Sequence, residues 1–294
     1  MKRKIIKQSD SYTITLPIKW IREHGIDETK EVDLEEEREE LIIKTKTTPR
    51  KEGELTIDST NDKFIQYLLN NAYRNGYDLL KINFQKANIA KSIEKQLDLL
   101  MGWQITEKTD KKIIIESLTE PRYDKFDVLM RRTFFIIKND LVLIRDFLEG
   151  KEQNLEEIKK NAAEAIRIDN FCRRCIFRKV VEKEKTHFYW HFIATITWIH
   201  RSIYYLSLEL KKNLEDNKAA ELINRIINSF NNLYEGFFEK NLNKIAVVFD
   251  ITKEIQQNKS KIFKSGKNDL VNYHLIEISR LINLSCSDAI GINT

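Results

Sequence analysis

Proline interrupts helices because it lacks the N–H that a helical hydrogen bond needs. This chain has three prolines in 294 residues, and the last stands at position 121. Everything after Pro121 reads as helix. Met130, Phe134, Ile137, Leu141, Ile144 and Leu148 repeat at alternating spacings of four and three, which lines one helical face with apolar side chains. Gly150 closes that segment. A second helix is predicted from Asn154 to about Glu184. A third carries Phe192, Ile196, Ile199, Ile203, Leu206 and Leu210 at the same spacing. Three more follow near Ala219 to Phe238, Asn241 to Gln257 and Asp269 to Ile290. Antiparallel packing across short polar turns predicts a six-helix bundle over residues 121–291, arranged as two three-helix halves.

The first 120 residues read differently. Arg3 to Lys7 and Ser11 to Leu16 are short alternating runs, the second stopped by Pro17. Ile18 to Glu23 is one helical stretch before Gly25. Glu31 to Leu34 and Glu40 to Lys44 are two more strands around an acidic turn. A module this small, residues 1–47, buries too little apolar surface alone and is expected to dimerise by interleaving strands. Thr47 to Gly53 reads as a polar linker. A second unit, residues 53–119, follows with strands at Glu54 to Asp58, Asp78 to Phe84, Trp103 to Glu107 and Lys112 to Glu116. Helices are expected at Asp62 to Arg74 and Ile89 to Met101. The order β-α-β-α-β-β implies a small α/β sandwich. The chain as a whole is thus expected to be a multidomain α+β protein.

Composition narrows the function. Charged residues make up 32% and the formal net charge is +5, so nucleic-acid binding is permitted but not demanded. Three cysteines fit a reducing compartment better than a disulfide framework. The basic start is not followed by an apolar stretch, and no run is long enough to span a bilayer, so a cytoplasmic protein without membrane insertion is expected. There is no phosphate-binding glycine loop and no nucleophile elbow, and five histidines leave little for a catalytic site. No enzyme activity, catalytic residue or cofactor is expected.

Two stretches resemble known families. Arg3-Lys4-Ile5, Ser11-Tyr12-Thr13-Ile14-Thr15-Leu16-Pro17, Lys19-Trp20-Ile21-Arg22-Glu23-His24-Gly25-Ile26, Glu31-Val32 and Leu41-Ile42-Ile43 resemble the AbrB/MazE (SpoVT-AbrB) swapped-hairpin DNA-binding module. That family usually has Gly before the polar turn, where this chain has Ser9-Asp10, and Gly-Asp before the third strand, where this chain has Thr29-Lys30. Residues 121–290 resemble PhoU, the phosphate-uptake regulator, at Met130-Arg131-Arg132, around Asp169 to Arg178, and at Tyr234-Glu235-Gly236-Phe237-Phe238-Glu239-Lys240-Asn241-Leu242. A head of the first kind, a small α/β domain and a body of the second kind occur in this order in archaeal PhoU-type proteins. The resemblance implies a cytosolic regulator of phosphate uptake or transcription. It would be a homodimer through the head, bind duplex DNA there, and bind a phosphate-transport or signalling protein through the bundle.

The candidate DNA contacts are Arg3, Lys4, Lys7, Ser11 and Lys19. Lys2, Arg3, Lys4, Lys7, Lys19 and Arg22 concentrate positive charge in the first 22 residues, whereas Asp27 to Glu40 is acidic. By position in the family motif, Lys7 and Ser11 flank the contact turn. The competing reading is a solvated surface on a dimerisation module that no longer binds DNA, which Asp10 favours.

PhoU proteins carry paired carboxylates four residues apart that hold metal ions. Here Asp169 is preceded by Ala165, Thr197 is followed by Arg201, and Glu277 is followed by Leu281, so no PhoU-type metal cluster is expected. Arg201 is expected to take over the metal's charge and pair with Asp169 or Glu164. Cys172-Arg173-Arg174-Cys175 sits inside a helical pattern, where packing is the simpler reading than redox or zinc chemistry. His187 and His191, four apart, could supply the second ligand pair of a zinc site, but nothing in the sequence ties them spatially to the cysteines. The aromatic run of the third helix, including Trp190, Trp198, Tyr204 and Tyr205, reads as core or dimer contact rather than a partner-binding face.

Overall fold

The computed structural model describes residues 2–37, 40–44, 50–118, 122–151, 153–210, 216–265 and 268–294. The chain divides into two compact units, residues 1–51 and residues 52–294.

The first unit opens with β1 (Ile5–Gln8) and β2 (Ser11–Ile14), an antiparallel hairpin in which Ile5 pairs with Ile14 and Lys7 with Tyr12. Pro17 caps α1 (Ile18–Glu23), where its missing N–H costs no helical bond. Gly25, at φ 62°, turns the chain into α2 (Ile26–Thr29), which the sequence reading missed. A second antiparallel hairpin joins β3 (Asp33–Glu37) to β4 (Glu40–Lys44), pairing Leu34 with Ile43 and Glu36 with Leu41. Opposed residues share a face of such a ribbon, so each hairpin gathers apolar side chains on one side. Those side chains stay exposed: Ile5 is 65% and Leu34 62% accessible, and Tyr12, Ile14 and Leu41 are also exposed, while Ile26 is buried. Of the expected linker, Thr47 to Pro49 lie outside the described residues. Its end at Gly53 is corrected, because strand pairing begins at Glu52.

The second unit begins with β5 (Glu52–Ile57), α3 (Asp62–Arg74), β6 (Leu79–Phe84), α4 (Ala87–Leu97), β7 (Trp103–Lys108) and β8 (Lys112–Ser117). The sheet order is β5-β6-β8-β7, with β5 parallel to β6 and the other pairs antiparallel. Asn61 caps α3 by accepting from Phe64 N at 3.0 Å. Ile65, Leu69 and Tyr73 fall on one helical face and are buried with Ile89 and Ile93 of α4 over Leu80, Ile82 and Phe84 of β6. Helix α4 is shorter than expected and stops at Leu97.

Long helices follow: α5 (Tyr123–Leu148), α6 (Glu156–Phe177), α7 (Thr186–Glu209), α8 (Asn217–Phe238) and α9 (Leu242–Gln257), then the short α10 (Lys259–Ser265) and α11 (Asp269–Asn293). Helices α5, α6 and α7 pack on one another, as do α8, α9 and α11; α7 against α11 and α5 against α8 join the two sets. Phe134 sits at the centre of the core, stacked 4.9 Å from Phe230 and 6.1 Å from Phe192. Gly291 lets α11 approach α7, since a Cβ there would lie 2.5 Å from the Phe188 ring. The expected second helix is corrected at its end. It stops at Phe177, because Lys179 enters the left-handed region at φ 58° and Val180 N donates back to Cys175 O at 3.0 Å. A 3₁₀ turn at Lys183–Lys185 then leads into α7. No helix among the described residues is long and apolar enough to cross a membrane.

A buried ionic joint ties the sheet layer to the helices. Arg174 of α6 is 1% accessible and donates to Tyr73 O at 2.9 Å, Tyr77 O at 2.8 Å and Asp78 Oδ1 at 2.8 Å. Arg178 adds two bonds of 2.7 Å to the same carboxylate. A buried charge pair that loses one member leaves an uncompensated charge in a dry site. Asp78→Ala is therefore expected to lose about 3–5 kcal/mol in urea denaturation. Arg280→Ala, which removes an exposed i,i+3 pair with Glu277, should change stability by less than about 0.5 kcal/mol.

Candidate nucleic-acid interface

The β1–β2 hairpin presents four of the residues expected to touch DNA. Arg3 and Lys4 precede β1, Lys7 lies on β1, and Ser11 opens β2; all are exposed, and the three cations make no ion pair with a described residue. Gln8 pairs with Ser11 across a two-residue turn, and Ser11 Oγ donates to Gln8 O at 3.0 Å. The register puts Lys7 with Tyr12 on one face of the ribbon and Ser11 with Gln8 on the other. So the two residues that flank the turn address different sides of it. Lys19 lies on α1 and meets Glu23 at 3.7 Å, an exposed contact of little energetic weight. Ser9 holds φ 52°, a left-handed conformation that glycine adopts freely and a side chain opposes. Asp10 completes the turn with a carboxylate.

The interior candidates fall in the second unit, and the structure uses them for packing. Asp169 accepts from Arg74 Nη2 at 2.6 Å, Arg173 Nε at 2.9 Å and Thr197 Oγ1 at 3.0 Å. Glu164 meets Arg132 and Arg167, each at 3.2 Å. The expectation that Arg201 pairs with Asp169 or Glu164 is therefore corrected: other arginines hold both carboxylates, and Arg201 makes no ion pair with a described residue. Arg74 was missed as a functional side chain because it comes from a different domain of the sequence reading. It is the last residue of α3, one turn after Asn70, in the layer that covers the sheet. Asn170 reinforces the joint, accepting from Arg74 Nε at 2.8 Å and donating to Leu99 O at 3.1 Å.

Cys172 and Cys175 are buried in mid-α6 and unpaired by disulfide, as is Cys286 in α11. Burial pushes the Cys172 thiol well above its ordinary range and the Cys175 and Cys286 thiols up to about 12. His191 Nδ1 lies 2.6 Å from Asp288 Oδ2, while His187 stacks on Phe188 at 4.0 Å. So the histidine pair is split between two different contacts. Of the third-helix aromatics, Phe192 is buried, whereas Trp190, Trp198 and Tyr205 are exposed. No group of three or more His, Cys, Asp or Glu that could hold a metal ion is found among the described residues.

Residues 5–52 match the family model of MazE, described as antidote-toxin recognition, bacterial antitoxin. The match covers the two hairpins and their connecting helices, and supports an AbrB/MazE-like N-terminal domain. No curated protein and no solved structure matches the chain.

Two expectations follow. Ser9→Gly should relieve the left-handed strain by about 0.5–1 kcal/mol and slow amide exchange across the β1–β2 hairpin severalfold; unchanged or faster exchange would contradict the strain. A thiol-reactive disulfide reagent at pH 8 should label none of the three cysteines rapidly in the native protein and all three in denaturant, because burial disfavours every thiolate.

Proposed function

We propose that this chain is a dimeric, non-catalytic regulator that binds duplex DNA through the head of residues 1–47. The helical region of residues 121–291, which follows the small α/β domain of residues 53–119, would receive a protein partner. The observation that carries the reading is the head itself. It matches the MazE family model, exposes apolar faces on both hairpins, and displays Arg3, Lys4 and Lys7 without a carboxylate partner among the described residues. A two-stranded ribbon is marginal alone, and a second copy supplies the missing cover. Two-fold pairing would bring two basic N-terminal sets onto one surface, where they would track phosphates and release counterions.

The finer assignment, control of phosphate uptake, has the PhoU resemblance of residues 121–290 as its support. Related readings keep the head as a DNA-binding module with the helical region used for oligomerisation, or as a scaffold without DNA affinity. The matched family's description favours one more: the head recognises a protein, with the acidic stretch from Asp27 to Asp33 facing it.

Fluorescence anisotropy with random duplex DNA across a salt series separates these readings. The expected result is an affinity whose logarithm falls linearly with the logarithm of salt. Lys4→Glu combined with Lys7→Glu should weaken binding more than tenfold and flatten the salt slope. A folded protein that binds no duplex at low salt overturns the DNA reading and leaves the head as a protein-recognition or dimerisation device.

A further inference from the structure

A cleft of about 510 Å³ opens between α3, α6 and α7, wholly within the second unit. Its size suits a small-molecule ligand. Small side chains make the space: Ala162, Ala163 and Ala165 on α6 and Ala194 on α7 line it where larger residues would fill it.

The charge in the cleft is one-sided. Lys63, Arg74, Lys159, Arg173 and Arg201 line it, and Asp169 is the carboxylate among its described lining residues. Asp169 is already bonded to Arg74 and Arg173, which fixes both guanidiniums in place at 2.6 and 2.9 Å. Lys63, Lys159 and Arg201 come from three different helices, line the same cleft, and make no ion pair with a described residue. Cations converging on a concave site lower the energy of an anion there, more so where the walls exclude water.

The walls add a second feature. Tyr67 on α3 faces the space along with Trp198 and Tyr205 on α7. Trp198 is 49% accessible, so much of its ring is available to a ligand. Lys63 already lies over the Tyr67 ring, 5.3 Å from its centre, so a cation and a ring face meet at this surface. Side chains of both kinds in one cleft fit a ligand that is itself half polyanion and half flat ring.

We propose that this cleft binds a nucleotide, its phosphates held by Lys63, Lys159 and Arg201 and its base laid against the Tyr67 and Trp198 rings. Arg74 and Arg173 stay paired with Asp169 and offer their remaining N–H groups to the phosphates. Thr197 and Asn70 supply neutral polar contacts at the floor. This site is separate from the DNA reading, since it uses no residue of the head.

The test is isothermal titration calorimetry of the full chain in magnesium-free buffer with ATP, inorganic tripolyphosphate and adenosine. ATP is expected to bind with a submillimolar Kd, at least tenfold more tightly than either fragment. Lys159→Glu combined with Arg201→Glu should weaken ATP at least tenfold. Both side chains are exposed, so circular dichroism and the melting temperature should stay at the wild-type values. Trp198→Ala should reduce the advantage of ATP over tripolyphosphate. Lys4→Glu with Lys7→Glu should leave ATP binding as in the wild type. No heat with ATP at millimolar concentration, or binding indifferent to the Lys159 and Arg201 changes, overturns the site. Tripolyphosphate binding as tightly as ATP overturns the nucleotide assignment.

Discussion

The Asp78 carboxylate, buried between the guanidiniums of Arg174 and Arg178, is the contact on which the second unit depends. Taking these charges out of water is costly, and the cost is met only when the geometry is complete. Arg174 adds bonds to the carbonyl of Tyr73, in the last turn of α3, and to that of Tyr77, three residues beyond its end. One arginine thereby serves as ion-pair partner and as C-terminal cap for a helix in another layer. With α6 pinned there, the next residues toward its N-terminus have little choice of partner. Asp169 and Asn170 meet Arg74, and Asn170 reaches Leu99. The cleft above them is a consequence. Beside this joint, the alanines of α6 leave the space between the helices unfilled.

How much of this was legible depends on where the information resides. The apolar seams were plain, because Phe134, Ile137 and Leu141 repeat at the period of a helix and end up buried. The end of α5 was plain for a local reason: Gly150 takes the left-handed position that closes a helix, and glycine announces it. The end of α6 uses the same closure with Lys179 in that position, and a lysine announces nothing. So the sequence reading carried α6 on past its true stop. Arg174 was visible in the motif Cys172-Arg173-Arg174-Cys175, yet its partners Tyr73, Tyr77 and Asp78 are about a hundred residues away. A contact of that range leaves no periodic or local trace, so Arg74 and Asp78 could not be read.

The two units handle charge and apolar surface in opposite ways. The second unit buries its apolar seams and pairs its interior charges, down to Asp140, which accepts from Asn161 at 2.6 Å and meets His200 at 2.8 Å. The head leaves Ile5, Tyr12, Leu34 and Leu41 in the open, and its leading cations make no ion pair with a described residue. A unit this small cannot do otherwise, since two ribbons joined by short helices have no second layer to pack against. The family resemblance was legible in the head because its motif is local: strand, tight turn, strand, proline, short helix. The strain at Ser9 was foreshadowed by the same comparison, at the position where the resembling sequences carry glycine.

The fate of Asp169 decides what kind of ligand the second unit can attract. A carboxylate can hold a divalent cation when its oxygens are free and a second carboxylate faces it. Here one oxygen meets Arg74 and the other meets Arg173 and Thr197, and Ala165 stands where a companion acid would be. A cation entering the cleft would have to displace a guanidinium and then sit among Lys63, Lys159 and Arg201. An anion meets the reverse situation. It gains from Lys63, Lys159 and Arg201, which make no ion pair with a described residue, and it can leave the pairs of Asp169 with Arg74 and Arg173 in place. With Ala165 rather than an acid four residues before Asp169, and with Arg201 lining the cleft from α7, the site favours an anion over a cation.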